Sequence, residues 1–118
     1  MAWEIEYTDQ LENWYDDLTK REQNLVDAAV TALAEHGPSL GRPYVDTIKG
    51  SRHAHMKELR PRSGNIRILF AFDPRRAAIL LIGGDKTGRW QQWYVEMIPI
   101  ADDLYDEHLV TLKKEGLL

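Results

Sequence analysis

The chain of 118 residues contains no cysteine, which excludes a disulfide framework and any metal site built on thiolates. No apolar run approaches the roughly 18 residues that a membrane-spanning helix needs, so no membrane partner is expected. The N-terminus, MAWEIEYTDQ, is acidic and lacks the layout of a signal peptide. These absences fit a reducing cytoplasm as the compartment, and the length predicts a single domain over residues 1–118.

Recognisable chemical motifs are also few. GGDKTG, at residues 83–88, contains a lysine-threonine pair but lacks the G-x-x-x-x-G-K-[ST] spacing of a phosphate loop. No nucleophile-elbow motif is present. His53 and His55 are two residues apart, but no third ligand follows at the spacing of a zinc site. We therefore expect neither a metal ion nor another cofactor.

Positive charge is scarce in the whole chain but concentrated in its middle. Fifteen Lys and Arg residues stand against nineteen Asp and Glu residues, and the net charge is −4. Residues 49–76 hold eight basic and two acidic residues, whereas residues 1–48 hold three basic and ten acidic ones. A local basic block is typical of a surface that binds a polyanion. A solvated pair of strands with mixed surface charge is the alternative interpretation.

Two helices are predicted in the N-terminal part, after a strand at residues 2–7. In the first helix, apolar side chains recur at i, i+3, i+4 and i+7 from Leu11, which marks one helical face. Thr19 and Glu22 have the spacing of a capping box, which predicts the start of the second helix. Gly37, followed by proline, predicts its end, because glycine can turn left-handed and proline cannot continue a helix.

The rest of the chain predicts a sheet and one more helix. Strands are predicted at residues 54–60, 65–72 and 77–82, with a short extended piece around residues 44–48 before them. A helical pattern begins near Trp90, and Pro99 is expected to kink or split it. The predicted fold class is α+β. Two N-terminal helices pack on a small, mostly antiparallel sheet of about four strands, and a kinked helix ends the chain.

A group of cations around the predicted strands is the strongest candidate for chemistry. Arg60 and Arg67 lie on two successive strands, and Lys86 directly follows the next strand. If these strands are neighbours, the three side chains can converge on one surface of the sheet. A guanidinium forks onto two phosphate oxygens and a lysine adds a compact charge, so the group indicates a phosphate site. For any one of them, a surface charge or a salt bridge to Glu58 or Asp85 is the alternative.

The segments KELRPRSGNIRILF and ILLIGGDKTG, in this order of elements, resemble the RelE/ParE toxin superfamily, and more closely its HigB-type, phage-derived branch. The resemblance covers nearly the whole chain. It implies a RelE-like fold and the toxin of a type II toxin–antitoxin system. The implied activity is that of a metal-independent, ribosome-dependent endoribonuclease that cuts messenger RNA. In this reaction a ribose 2′-hydroxyl attacks the adjacent phosphate and the 5′-oxygen leaves.

The resemblance also assigns residues and partners. The expected catalytic side chains are Arg60, Arg67, Lys86 and Lys57. The expected RNA contacts are Lys49, Arg52, His55, Arg62 and Arg89. The expected partners are a helix-turn-helix, HigA-like antitoxin, in a toxin–antitoxin hetero-oligomer, and messenger RNA in the ribosomal A site.

The sequence does not identify which residues act as the general acid and the general base of this reaction. Many family members use a histidine or tyrosine near the end of the chain, where this chain has a helix with Trp90, Trp93 and Tyr94. His55 is a candidate base, but strand alternation places it opposite Arg60. Two alternative functions follow: a ParE-like toxin that binds DNA gyrase without cutting RNA, and a catalytically silent partner of a DNA-binding antitoxin.

Overall fold

The computed structural model of the protein describes residues 2–62 and 64–118 and has the predicted α+β architecture. Within these residues the chain forms five strands, three α-helices and one short 3-10 helix. In chain order these are β1 (Ile5–Tyr7), α1 (Asp9–Asp16), α2 (Lys20–His36), the 3-10 helix (Gly37–Ser39), β2 (Val45–Thr47), β3 (Lys57–Leu59), β4 (Ile66–Phe72), β5 (Ala78–Asp85) and α3 (Trp90–Lys114). The sheet has one strand more than the four that the sequence predicts, because the short extended piece pairs as β2.

The sheet has the strand order β1-β5-β4-β3-β2, and only β1 and β5 pair in parallel among the described strands. The mostly antiparallel sheet of the prediction is thus confirmed. β4 and β5 pair with Arg67 opposite Gly84, and β3 and β4 pair with Glu58 opposite Leu69. Because cross-strand partners share a face of the sheet, this register brings Glu58 and Arg67 to the same side.

α2 begins and ends where the sequence predicts, whereas α1 ends at Asp16, before Leu18, the last residue of its predicted apolar face. Thr8 caps α1 through its side-chain oxygen. Thr19 and Glu22 form the predicted capping box, with each side chain accepting a hydrogen bond from the other residue's amide. α2 ends at Gly37, whose φ of 56° suits glycine, and Trp3 packs so closely that an added Cβ would lie 2.3 Å from its indole nitrogen.

Apolar side chains pack on both faces of the sheet. α1 and α2 cover one face, over a core that includes Leu33, Leu59, Ile68, Phe70 and Leu80. α3 covers the other face, over a second core that includes Leu69, Ile79, Leu81, Trp93 and Ala101. β5 contributes to both cores, which agrees with the continuous apolar run that predicts a strand covered on both sides.

α3 runs from Trp90 to Lys114 as one helix, so Pro99 does not split it. Pro99 lies on the exposed side, where its missing N–H leaves the carbonyl of Val95 without its helical partner but open to water. None of the helices in the described part of the chain combines the length and the apolarity required to cross a membrane.

Candidate active site

Glu58 lies at the centre of the cation group, on the face of the sheet that α3 covers. Only 1% of the residue is exposed. Its Oε1 accepts a hydrogen bond from Arg60 Nε at 2.6 Å, and its Oε2 accepts one from the Tyr94 hydroxyl at 2.7 Å. Arg67 Nε lies 3.9 Å from the same Oε1. A buried carboxylate needs such partners, because an unpaired charge is costly to remove from water.

Lys86 completes the group from the turn after β5. The residue is 4% exposed, and its Nζ lies 3.2 Å from the Tyr94 hydroxyl and 4.0 Å from the centre of the exposed Trp90 ring. Burial lowers the pKa of Lys86 and the positive charge of Arg67 lowers it further, although Glu58 opposes the shift. A lysine of lowered pKa can give up its proton more readily, as a general acid must.

Tyr94 connects the acidic and the basic parts of the site. Its hydroxyl donates to Glu58 and lies within hydrogen-bond distance of Lys86. Burial and the bond to the Glu58 carboxylate raise the pKa of Tyr94 to about 12. The hydroxyl is therefore protonated near neutral pH, and it can pass a proton to Glu58 only while it receives another.

One side-chain donor of Arg67 makes no hydrogen bond within the described part of the chain. Its side chain is 12% exposed, and Nη1 donates to the carbonyl of Ile66 at 2.8 Å. Its Nε is buried and has no hydrogen-bond acceptor among residues 2–62 and 64–118. Buried donors are normally satisfied, and this exception lies 3.9 Å from Glu58 Oε1, so Nε takes part in an ion pair without a hydrogen bond.

Glycine in β5 lets α3 approach this site. A Cβ added to Gly84 would lie 2.5 Å from Nε1 of Trp93, so a side chain at this position would push the helix away. Gly84 is also the cross-strand partner of Arg67. The close contact between Gly84 and Trp93 therefore holds the first turns of α3, with Tyr94, over the start of β4.

Three of the four cations predicted to be catalytic converge here, and the fourth does not. Arg60 and Arg67 contact Glu58, and Lys86 contacts Tyr94. Lys57 lies next to Glu58 in β3, so strand alternation directs it to the face that α1 and α2 cover. The prediction that Lys57 belongs to the cation cluster is therefore wrong.

Two of the five residues predicted to contact RNA are paired with acids. Arg52 contacts three aspartates of α3: Asp102, Asp103 and Asp106. Arg89 pairs with Glu96 at 2.5 Å. Lys49, His55 and Arg62 are exposed. Their contacts with RNA stay predictions.

The sequence predictions did not include Glu58 and Tyr94, which the structure brings into the cation cluster. Glu58 is the acid in the K-E-L-R segment, and alternation already placed it on the face of Arg60, which was the available signal. Tyr94 had a weaker signal, because its position depends on the exact start of α3 and on the close approach at Gly84.

The arrangement of the sheet and helices defines a class of protein. The structure superposes on a chain of the archaeal RelE-RelB complex from Pyrococcus horikoshii with a TM-score of 0.60 and 16% sequence identity. The superposition covers 75% of this chain and 99% of the archaeal chain. The isolated Escherichia coli RelE toxin gives a TM-score of 0.60 at 11% identity, over 82% and 99% of the two chains. The fold is therefore that of RelE.

Sequence comparison places the chain more narrowly. Residues 13–106 match the family described as phage derived protein Gp49-like (DUF891). Two Mycobacterium tuberculosis proteins assigned as toxins are similar to the chain: HigB2, at 52% identity over 104 residues, and HigB3, at 49% over 102 residues. Both alignments include 86% of this chain, but they span 52% of HigB2 and 90% of HigB3. The chain belongs to the phage-derived Gp49-like family, is similar to HigB-type proteins and has the RelE fold, as the resemblance implied.

Proposed function

We propose that the protein is the toxin of a type II toxin–antitoxin system and acts as a metal-independent endoribonuclease on messenger RNA. The observation that carries this proposal is the convergence of Arg60, Arg67 and Lys86 around the Glu58–Tyr94 hydrogen bond. This group can hold a phosphodiester and also contains proton-accepting and proton-donating side chains. The assignment of HigB2 and HigB3 as toxins supports the same function.

The reaction forms the bond between the ribose O2′ and phosphorus and breaks the bond between phosphorus and O5′. Tyr94 receives the proton of the 2′-hydroxyl as it gives its own proton to Glu58, so the two side chains act together as the base. Lys86 gives a proton to the leaving O5′. The products are a 2′,3′-cyclic phosphate and a 5′-hydroxyl.

Arg67 and Arg60 stabilise the charge that accumulates on the phosphate. Arg67 is held by its ion pair with Glu58 and by its bond to the carbonyl of Ile66, so its charge is already in place and needs no reorganisation when the transition state forms. Arg60 is held by Glu58 and by Asp46, at 3.4 Å, which fixes its guanidinium at the edge of the site. Removing one preorganised donor of this kind costs about 100-fold to 1000-fold in rate.

The proposed partners are messenger RNA in the ribosomal A site and a helix-turn-helix, HigA-like antitoxin. Related folds support an antitoxin partner, since the Pyrococcus horikoshii structure is a RelE-RelB complex and an Escherichia coli structure is a DinJ-YafQ toxin–antitoxin complex. The three cations present more positive charge than Glu58 neutralises, which favours an RNA backbone as the ligand of the site.

A catalytically silent role is the second candidate, and one observation favours it. Glu58 and Lys86 are 1% and 4% exposed, as the members of a purely structural polar cluster would be. Such a protein would bind its antitoxin without cutting RNA.

The test is induction of the protein and of its Arg67→Ala variant in cells without antitoxin, followed by mapping of transcript ends. Arrest of growth with codon-phased cleavage that the variant lacks would support the nuclease. Arrest with double-strand DNA breaks and intact transcripts would show instead that gyrase is the target. No arrest by either protein would favour the silent partner. Arg89→Ala is the matched control, because it removes an arginine outside the cluster.

A further inference from the structure

Lys86 belongs to the candidate active site but is almost closed off from solvent. The residue is 4% exposed, whereas a lysine that gives a proton to RNA has to contact it. Glu58, the acid of the same group, is 1% exposed. A site closed to this degree admits a large ligand only when a group that covers it moves. A neighbour of Lys86 must therefore leave its place when RNA binds.

The aromatic side chains at the start of α3 differ in their freedom to move. The Tyr94 hydroxyl is held by its bond to Glu58 at 2.7 Å. Trp93 is 2% exposed and packs so closely on Gly84 that an added Cβ there would lie 2.5 Å from the indole nitrogen. Trp90, in contrast, is 55% exposed. Of these three rings, only that of Trp90 can leave its place without opening the core or the site.

Trp90 covers the charge of Lys86. Nζ lies 4.0 Å from the centre of a Trp90 ring and 5.2 Å from the centre of the Tyr94 ring. A cation at such a distance is attracted to the face of an aromatic ring, and tryptophan provides the strongest contact of this kind. The ring occupies one side of Nζ, from which an anion would otherwise approach. The contact between Trp90 and Lys86 therefore competes with a phosphate group for the same cation.

We propose that the Trp90 indole is a gate of the cation cluster of Arg60, Arg67 and Lys86. It covers Lys86 in the free protein and rotates away when a phosphate group binds. This inference rests on the proposed function, since it names the step by which the phosphate of RNA reaches Lys86. A cation–π contact favours the closed gate about 2- to 30-fold over the open one, and the affinity for phosphate is lowered by the same factor.

The gate affects binding and not the chemical step. Exposed side chains change rotamer within picoseconds to nanoseconds, which is far faster than turnover. The gate also accounts for the low exposure of Lys86 in a protein that acts on RNA. Rotation of the Trp90 ring uncovers Nζ, while Glu58 stays covered by Tyr94 as its proton relay. Burial of the lysine in the free protein is therefore compatible with an active site.

The alternative role for Trp90 is a platform on which a base of the RNA stacks. A platform strengthens binding, and only a ligand that carries a base benefits from it. A gate weakens binding, and it does so for any ligand that carries a phosphate group. Inorganic phosphate, which has no base, therefore distinguishes the two roles. The contact with Lys86 favours the gate, because Nζ already occupies one face of the ring.

The first experiment measures the affinity of the full chain for inorganic phosphate, from the shifts of amide signals around Arg67. Trp90→Ala should bind phosphate about 2- to 30-fold more tightly than the natural protein, because the competing contact is gone. Val95→Ala is the matched control, since it removes a 73% exposed side chain from the same helix without removing a cation–π contact. Its affinity should stay within about twofold. Circular dichroism and melting curves establish that both variants fold.

Fluorine-labelled tryptophan observes the gate directly by NMR. The chain has four tryptophans, whose signals are assigned by substitution. Phosphate should move the Trp90 signal toward that of a tryptophan in water, and the signal of Trp3, whose ring contacts Arg76 at 5.0 Å instead, should stay in place. In Lys86→Gln the Trp90 signal should lie near the position of the open gate without phosphate, because the cation is absent.

Unchanged or weaker phosphate binding by Trp90→Ala would overturn the gate, and so would a failure of phosphate to bind either protein. Weaker binding of a ribodinucleotide with unchanged binding of phosphate would show a platform instead. If transcripts stay intact but Trp90→Ala binds phosphate more tightly, the nuclease is wrong and the gate stands. If transcripts are cleaved but phosphate binds both proteins equally, the nuclease stands and the gate is wrong.

Discussion

Two groups of cations in this protein differ in what surrounds them. Arg60, Arg67 and Lys86 come together around one shared carboxylate, Glu58, and Arg60 also reaches Asp46. By contrast, Arg52 pairs with three aspartates of α3, Arg75 pairs with Asp73 and Glu6, and Arg89 pairs with Glu96. The first group has three cations against two carboxylates, whereas in the second group the acids outnumber the arginines. The number of basic residues in a sequence therefore indicates a phosphate site only where the acids are outnumbered.

Among the changes that test this comparison, Tyr94→Phe is expected to have the largest effect on the rate of cleavage. The change keeps the ring over the site but removes the hydroxyl between Glu58 and Lys86, so the proton path is interrupted. We expect the single-turnover cleavage of ribosome-bound messenger RNA to slow about 100-fold or more. Tyr105→Phe is the control, because the Tyr105 hydroxyl donates to a backbone carbonyl, that of Phe72 at the end of β4. A similar loss in both variants would contradict the role of Tyr94.

The next prediction concerns the stability of the fold and Asp73, the partner of Arg75 in the second group. The Asp73 side chain is fully buried and accepts hydrogen bonds from Arg75, from His108 and from the amide of Ala77. Asp73→Asn should lower the free energy of unfolding by about 2–3 kcal/mol, measured by urea denaturation, because it weakens several buried bonds at once. Cleavage per folded molecule should not change. A loss of cleavage with unchanged stability would break the distinction between the two groups.

The same aspartate predicts how stability depends on pH. Burial alone would raise the pKa of Asp73, but the hydrogen bonds from His108 and Arg75 outweigh it and lower that pKa. Its contribution is therefore complete above the ordinary aspartate pKa of about 4 and is lost as the pH falls below it, toward the folded value. Urea midpoints between pH 7 and 3 should fall more steeply for the natural protein than for Asp73→Asn. Parallel curves would contradict this account.

Lys86 predicts a smaller effect, on the pH profile of cleavage. Because burial and the neighbouring arginines lower the pKa of Lys86, its protonated form is lost at a lower pH than for an exposed lysine. The cleavage rate should fall as the pH rises through that pKa. In Lys86→Arg the remaining activity should keep its rate to higher pH, since arginine stays protonated. A profile that does not move in this variant would exclude Lys86 as the proton donor.

The smallest effect is expected for Arg89→Ala. Arg89 and Glu96 are both about half exposed, and water screens such a pair. Neither the urea midpoint nor the cleavage rate should change measurably. If this variant lost cleavage, the RNA contact predicted for Arg89 from the sequence would matter despite its ion pair.

The sequence predicts the fold better than the details of the site. Alternation locates β4, capping residues locate α2 and a continuous apolar run locates β5, because these patterns are local, and each element is confirmed in the structure. The face shared by Arg60 and Arg67 follows from the same alternation. Alternation also shows that Lys57 lies on the other face, so its inclusion rested on charge alone.

Long-range packing explains what the sequence does not predict. The acids that neutralise Arg52 lie about 50 residues further along the chain, in α3, and no local pattern relates the two segments. Tyr94 reaches Glu58 only because Gly84 admits Trp93 close to the sheet. β2 is short and is recognised by its pairing with β3 rather than by its own sequence.

The most direct test of the central claim compares two arginines of the same basic block. Arg67→Ala and Arg52→Ala each remove one positive charge, the first from the cation cluster and the second from among the aspartates of α3. In single-turnover cleavage of ribosome-bound messenger RNA, Arg67→Ala should be about 100-fold to 1000-fold slower and Arg52→Ala within about threefold of the natural protein. Equal rates for the two variants would contradict the claim that the cation cluster holds the scissile phosphate.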